Sequence, residues 1–420
     1  MKILVITDLY PPHIIGGYEL ICGYAVDGLR DLGHQVLVLT STYGITARVR
    51  QDSTWRVLHE ARGFQLPGKG LAERTFSEWQ DQRVVEQTLR SFGPDVVYFW
   101  NAAGLLPAVL TAICQSGVPV AYHLCDYWIF SLSDGVPQQY YYRRWHRRAG
   151  RWPAEVGKRL ARSLVARQVC LLPPQIKPTA AAFVSGAVRN LYRQQGIDFK
   201  RSEIIHPGVP HLKWVNALPS PSVTDARLLF AGRVCEDKGV HTAIAALDIL
   251  VHRYRINAKL KIVGGDRGNG YLERLRRMIC DFSLEKHVKF VGHVSGRQVR
   301  SFMSESHILL FPSVWAEPLA LTPIEAMGSG IVVVGTTTGG SGELLKHGNN
   351  SLTFDADNAE QAAEQVVRLV EEPGLYDQLR ESAHKLVTTQ HTQSVMATQI
   401  SSFLQEVAET GRTESHINRF

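Results

Sequence analysis

Glu317 and Glu325 stand eight positions apart in "WAEPLALTPIEAMGSG" (315–330), among proline, apolar and small residues. A carboxylate in such a loop can accept two hydrogen bonds from the vicinal hydroxyls of a sugar. The two acids differ in the local role open to them. Thr322-Pro323-Ile324-Glu325 predicts a helix start, with Thr322 as N-cap, Pro323 at the first helical position and Glu325 closing a capping box. That is a full structural reason for Glu325 and none for Glu317. The loop leading into this helix start offers backbone N–H groups suited to phosphate.

Two cations form a second candidate group. Arg233 and Lys238 follow the apolar run "RLLFAG" in "GRVCEDKGV" (232–240). Five positions apart across a turn, they can grip two phosphate groups. The competing reading is a solvated basic loop, partly neutralised by Glu236 and Asp237. Gly16-Gly17, between the first strand and the first helix, lets backbone N–H groups approach an anion, or serves only a tight turn. No G-x-G-x-x-G occurs, which removes the main support for hydride transfer. The six cysteines are scattered, with no C-x-x-C pair and no His cluster at metal-ligand spacing. They are expected to be reduced thiols in a cytoplasm, with no metal centre.

The elements that must hold these residues alternate. "KILVIT" (2–7) is a buried-strand run, followed by a Pro/Gly loop, the helical "YELICGYAVDGLRDLGH" and the strand "QVLVLT". "DVVYFW", "VPVAYHL" and "AAFVSG" repeat the strand pattern, and "SEIIHPGVP" ends it at residue 210. Residues 211–226 lose periodicity and gain Pro and Ser, as a linker does. The scheme then restarts with "RLLFAG", "AKLKIVGG", "VKFVGH", "HILLFPS" and "GIVVVGTT", each separated by a helical segment. Two doubly wound α/β domains are therefore expected, with ligand in the cleft outside the carboxyl ends of the strands.

At 420 residues, two or three domains are anticipated. Hydrophobic content of 45% with 20% charged residues describes a globular protein, not a disordered or fibrous one. The formal charge of +7 selects no partner by itself. No stretch approaches the ~18 apolar residues of a membrane span, and "MKILVITDLYPP" lacks the form of a signal peptide. A cytoplasmic protein is expected, with an option of peripheral membrane contact. That option rests on Arg143–Arg167, dense in Arg with Trp145 and Trp152 interleaved and one acid, Glu155. The segment is either a solvated loop and helix face or a contact for anionic lipid or a negatively charged acceptor. Nucleic acid is not expected, since no nucleic-acid-binding module surrounds it.

"GRVCEDKGV" followed by "FPSVWAEPLALTPIEAMGSGIVVVGTTTGGSGELL" resembles the second domain of retaining glycosyltransferases of family 4, whose E-x7-E motif falls on Glu317 and Glu325. "PPHIIGGYE" resembles the family's glycine loop, and "AAFVSGAVRNLY" with "IIHPGV" the end of its first domain. The resemblance implies a GT-B fold: two Rossmann-like doubly wound domains facing across a cleft. Residues 1–208 would form the acceptor-side domain and 209–394 the nucleotide-sugar donor domain. A last helix, about 395–420, could pack on either domain, and its return to the first is the boundary adopted.

By that similarity Arg233 and Lys238 would bind the donor diphosphate and offset charge on the leaving group. Glu325 would hold the ribose hydroxyls, and Glu317 the donor sugar, near the backbone amides of Leu319, Ala320 and Leu321. Gly16 and Gly17 would approach the phosphate, and Val294 and its neighbours would lie against the base. No metal or cofactor would be needed. The family often carries a His-Asp pair in an H-D-Y-W run; "YHLCDYW" keeps Asp126, Tyr127 and Trp128 but has Cys125 at the His position. His123, two residues earlier, shares the strand face and either contacts the donor sugar or is a buried core histidine. Asp126 would touch sugar or acceptor. Leu319-Ala320 stand where Phe-Gly is common, and Gly342 where Pro is common.

The expected function is metal-independent, retaining transfer of a hexose-type sugar from a UDP- or GDP-linked donor to a hydroxyl acceptor: a glycan, a lipid-linked or a small-molecule acceptor. The alternatives are a UDP-N-acetylglucosamine epimerase of the same fold, and a non-catalytic nucleotide-sugar-binding or membrane-scaffold subunit.

Overall fold

The computed structural model describes residues 1–61, 71–129, 179–210, 218–266, 268 and 270–417. Arg143–Arg167 lies outside the described residues. The chain divides into two compact units: Met1–Val184, Val188–Ile205 and Met396–Phe420 form one, and Ser185–Ala187 with His206–Val395 the other.

The first unit is built on eight strands: β1 (Lys2–Thr7), β2 (Gln35–Ser41), β3 (Val49–Gln51), β4 (Thr54–Leu58), β5 (Val96–Asn101), β6 (Val120–Leu124), β7 (Ala180–Phe183) and β8 (Arg201–Ile204). Their order is β3-β4-β2-β1-β5-β6-β7-β8, parallel except for the β3–β4 pair. β1 is buried from Ile3 to Thr7 and β5 throughout. A strand with both faces covered has no polar side to show, and so is apolar without alternation. Among the described residues, α1 (Gly17–Asp31), α2 (Leu71–Phe92) and α3 (Pro107–Gln115) link these strands, and α4 (Gly186–Gln194) follows β7.

The second unit carries β9 (Ala226–Ala231), β10 (Ala258–Val263), β11 (Val288–Gly292), β12 (Ile308–Phe311), β13 (Val332–Thr336) and β14 (Leu352–Phe354). All pairs are parallel, in the order β11-β10-β9-β12-β13-β14. This is the doubly wound arrangement in which crossovers run outward both ways from the first strand. Its helices are α5 (Val240–Asp248), α6 (Tyr271–Asp281), α7 (Gly296–Ser304), α8 (Leu321–Ser329), α9 (Ser341–Leu344), α10 (Ala359–Glu371) and α11 (Leu375–Gln390). Leu228, Phe230, Leu260 and Ile262 of the sheet join Ile244, Leu247 and Leu275 of the helices in one core.

The last helix, α12 (Gln393–Ile417), belongs to the first unit from Met396 onward. It buries Met396, Ile400, Phe403, Leu404 and Val407, a stripe at three- and four-residue spacing. Ser401 Oγ meets His34 Nε2 at 2.8 Å, and Glu406 pairs with Arg201. No described helix is long and apolar enough to cross a membrane, and no disulfide joins the described cysteines.

Candidate active site

In the second unit, crossovers diverge between the neighbours β9 and β12, and a crevice opens at their carboxyl ends. Arg233 and Lys238 lie on the turn leaving β9; Glu317 lies on the loop leaving β12. Gly239 has φ +66°, and a Cβ there would sit 1.9 Å from the Pro312 carbonyl oxygen. Only glycine lets the two loops approach so closely. The N–H groups of Val314 and Trp315 both donate to the Asp237 carbonyl at 3.0 Å, which laces one loop to the other.

Glu317 is only 4% exposed. A buried carboxylate needs compensation, and Lys238 Nζ forms an ion pair with its Oε1. Ser313 Oγ donates to the same oxygen at 2.6 Å. Oε2 receives no hydrogen bond from a described residue. The structural reason for Glu317 that the sequence did not supply is thus its pairing with Lys238, made from 79 positions away. Its backbone is held too. Gly340 N–H donates to the Glu317 carbonyl at 2.6 Å, and a Cβ on Gly339 or Gly340 would fall 2.4 Å from Glu317 O or 1.8 Å from Pro318 O. Arg233 is exposed, and its guanidinium makes no hydrogen bond or ion pair with a described residue.

Helix α8 starts earlier than Thr322-Pro323 implied. Its N-cap is Ala320, in extended conformation and without a side-chain cap, so the expected capping box does not form. Thr322 and Pro323 occupy the second and third helical positions, where proline is tolerated because first-turn N–H groups have no intrahelical acceptor. Those first-turn N–H groups therefore have no capping side chain. Leu319 and Leu321 are buried and Ala320 half-buried. Glu325 is partly buried in α8; burial pushes its carboxyl up to about 7, and the charge of Arg300 on α7 opposes this. That carboxyl makes no hydrogen bond or ion pair with a described residue. Val294 is half-buried in the loop between β11 and α7.

At two positions of the first unit the geometry favours the structural alternative. Gly16 N–H, expected to face phosphate, donates to Glu19 Oε2 at 2.9 Å, while Ile15 N–H donates to Oε1 at 3.0 Å. Glu19 is 0% exposed, so the glycine loop is clamped by a buried acid, and Gly17 opens α1 behind it. His123 is 0% exposed and sits in the core, not at the exit of β6. Its ring stacks on Trp100 with centroids 3.9 Å apart and its Nδ1 lies 2.5 Å from Tyr98 Oη. Burial lowers its pKa to about 3.

Asp126 does stand beyond β6. Asn101 Nδ2 donates to Oδ2 at 3.0 Å and Trp128 N–H to Oδ1 at 3.1 Å, while burial pushes the carboxyl up to about 6. A residue the sequence reading passed over lies beside this network. Asp8 leaves β1 where crossovers diverge between β1 and β5. It accepts from Tyr18 Oη at 2.5 Å, Leu9 N–H at 2.8 Å and Gly104 N–H at 3.0 Å. Burial raises it to about 6 despite those bonds. Its only signal in the sequence was an acid closing the first strand, just before the Pro pair. Among the described residues, no group of three or more His, Cys, Asp and Glu side chains is placed to hold a metal ion.

The family model for glycosyl transferases group 1 matches residues 219–386, and that for glycosyltransferase family 4 matches residues 15–211. A glycogen synthase of Mycobacterium tuberculosis is 24% identical over 424 residues, covering 95% of this chain and 93% of its own. Sucrose-phosphate synthase from Thermosynechococcus elongatus shares the fold at TM-score 0.69 and 16% identity, over 97% of this chain and 99% of its own. An Anabaena protein crystallised with UDP-glucose does so at TM-score 0.66 and 18% identity, over 97% and 100%. With two loops of a doubly wound sheet converging on one Lys–Glu pair, and with both halves matched in order, the chain is a family 4 glycosyltransferase of the GT-B fold.

Proposed function

We propose that the protein is a retaining glycosyltransferase, working without a metal ion, that moves a hexose-type sugar from a UDP- or GDP-linked donor to a hydroxyl acceptor. The observation that carries this reading is the Lys238–Glu317 pair, with Arg233 on the same turn as Lys238 and its guanidinium paired with no described residue. Lys238 has three N–H donors and can keep Glu317 while it binds a phosphate oxygen. Arg233 takes the second phosphate, and the uncapped first turn of α8 adds backbone N–H groups. Glu317 Oε2 accepts a hydroxyl of the donor sugar, flanked by Leu319, Ala320 and Leu321. Glu325 holds the ribose, and Val294 lies against the base. In the first unit, Gly17 N–H remains for an anion, and Asp126 with Asp8 accepts hydroxyls of sugar or acceptor.

In this reading the acceptor oxygen bonds to C1 of the sugar on the face from which the diphosphate departs, as the C1–O bond to the leaving phosphate breaks. The departing phosphate oxygen takes the acceptor's proton. No side-chain nucleophile is required, and the work of Arg233 and Lys238 is to hold the charge that develops on the diphosphate. A relative named glycogen synthase and a fold neighbour holding UDP-glucose favour a glucose-type donor.

A thermal-shift screen of UDP-, GDP- and ADP-sugars tests the reading. A ligand at a hundred times its Kd adds about 2.7 kcal/mol of stability, so the matching donor raises Tm. Arg233→Ala reduces that rise. No shift with any nucleotide sugar would contradict the proposal.

A further inference from the structure

The opposite end of the second unit's sheet carries a charge arrangement that glycosyl transfer does not use. Arg227 on β9 is the cross-strand partner of Lys259 on β10, and Lys261 on β10 is the partner of Lys289 on β11. Since 259 and 261 are two apart on one strand, all four cations project from one face. Like charges directly opposite on paired strands are destabilising. Acids compensate two of the four. Asp225 takes Arg227 through two bonds of 3.0 and 2.7 Å, and Glu305 takes Lys261 at 2.6 Å. The side chains of Lys259 and Lys289, both exposed, make no hydrogen bond or ion pair with a described residue.

A groove of about 330 Å³ lies against three of these cations, Arg227, Lys259 and Lys261, and adds the polar side chains of Thr224, Asn257 and Ser306. Its residues begin β9 and β10 or precede β12, so they sit at the amino ends of the strands; Arg233, Lys238 and Glu317 follow the carboxyl ends. The positive field there is felt by the one acid in the lining. The Arg227 guanidinium, assisted by the charges of His307 and Lys259, holds Asp225 below the usual carboxylate range although burial opposes it.

We infer that this groove is a second anion site, which takes a phosphorylated small molecule of about the size of a sugar monophosphate. Charge complementarity selects the anion: three cations line the groove against one acid, Asp225, which Arg227 already holds through two bonds, and the amide of Asn257, which donates one N–H to Thr224 O, keeps a second. The volume selects a small molecule, since about 300 Å³ is the lower end of ligand-pocket sizes. The site is independent of the donor reading and survives its failure.

Calorimetric titration of inorganic phosphate and of glucose 6-phosphate into the full chain tests this. Wild type is compared with Lys259→Glu, with the milder Lys259→Gln, and with Arg233→Ala as a control for phosphate captured at the donor loops. Loss of a charged hydrogen-bond donor should weaken glucose 6-phosphate by about tenfold or more in both Lys259 variants, while Arg233→Ala binds as wild type does. Equal affinity in wild type and Lys259→Gln, loss confined to Arg233→Ala, or no binding to wild type would overturn the inference. Sedimentation with phosphatidylglycerol vesicles separates the sources. Vesicle binding that depends on Lys259, without binding of either free phosphate, would also overturn it, because the occupant would then be a lipid surface.

Discussion

Lys238 is tied to Glu317 by an ion pair and shares its oxygen with Ser313, so it is held in place before any ligand arrives. A charge fixed in advance does not have to be reorganised as the leaving group departs. Lys238→Ala should therefore cut turnover by several hundredfold or more, since one lost preorganised charge costs ~3–4 kcal/mol; steady-state rates at saturating donor check this. Glu325 makes a prediction in pH. Its folded value of about 7 stands above the ordinary 4.5, so the folded chain binds more protons than the unfolded chain between those values. The Glu325 contribution to stability is accordingly greatest at or below pH 4.5 and is lost as pH rises to 7. The Tm difference between wild type and Glu325→Gln, followed from pH 4.5 to 8, should shift against wild type across that window and then level off. Ribose hydroxyls prefer the ionised acid, so donor affinity should strengthen as pH rises through 7 in wild type and stay flatter in Glu325→Gln. At this scale the sequence was most informative about residues whose spacing is local, such as Arg233 with Lys238. Asp8 escaped notice because its environment is not local: Gly104, 96 positions away, donates to it, and a Cβ on Gly104 would lie 2.7 Å from its Oδ2.

Glycines decide how closely the elements meet. A methyl group on Gly239 would collide with the Pro312 carbonyl, and one on Gly340 with Pro318 O and Ser185 Oγ. Both positions pack against the loop that carries Glu317. Gly239→Ala and Gly340→Ala should each cost about 1–3 kcal/mol or more through forced displacement, and each should lower kcat/KM by moving Glu317. Gly348 has a similar φ of +71° but nothing within 4 Å. Gly348→Ala should cost only the left-handed penalty of ~1–2 kcal/mol and leave kcat/KM unchanged. Urea midpoints and kcat/KM measured on the three variants separate these effects. The strong strands were legible because a run such as "KILVIT" has few other ways to be buried. The β3–β4 pair and α2 were not legible: β3 is three exposed residues, and α2 has only a weak apolar stripe. The start of α8 moved because the proline rule allows the whole first turn, and the sequence reading placed Pro323 at its first position.

For the whole molecule, the repeated alternation of strands and helices was enough to indicate two doubly wound sheets, since no other layering buries so many unbroken apolar strands. The order of strands within each sheet is set by contacts between distant segments and had to come from the structure. The same holds for the Lys238–Glu317 pair. Both residues could be picked from their neighbours, but that they neutralise each other depends on β9 and β12 lying side by side. Catalysis of sugar transfer by these loops, as opposed to mere storage of a nucleotide, is open to direct measurement. Release of nucleoside diphosphate from a panel of UDP-, GDP- and ADP-sugars, quantified by chromatography for wild type and Lys238→Ala, tests it most directly. Wild type should turn over one donor, and the variant should do so several hundredfold more slowly. Tight UDP or GDP binding by wild type with no turnover of any donor would contradict it.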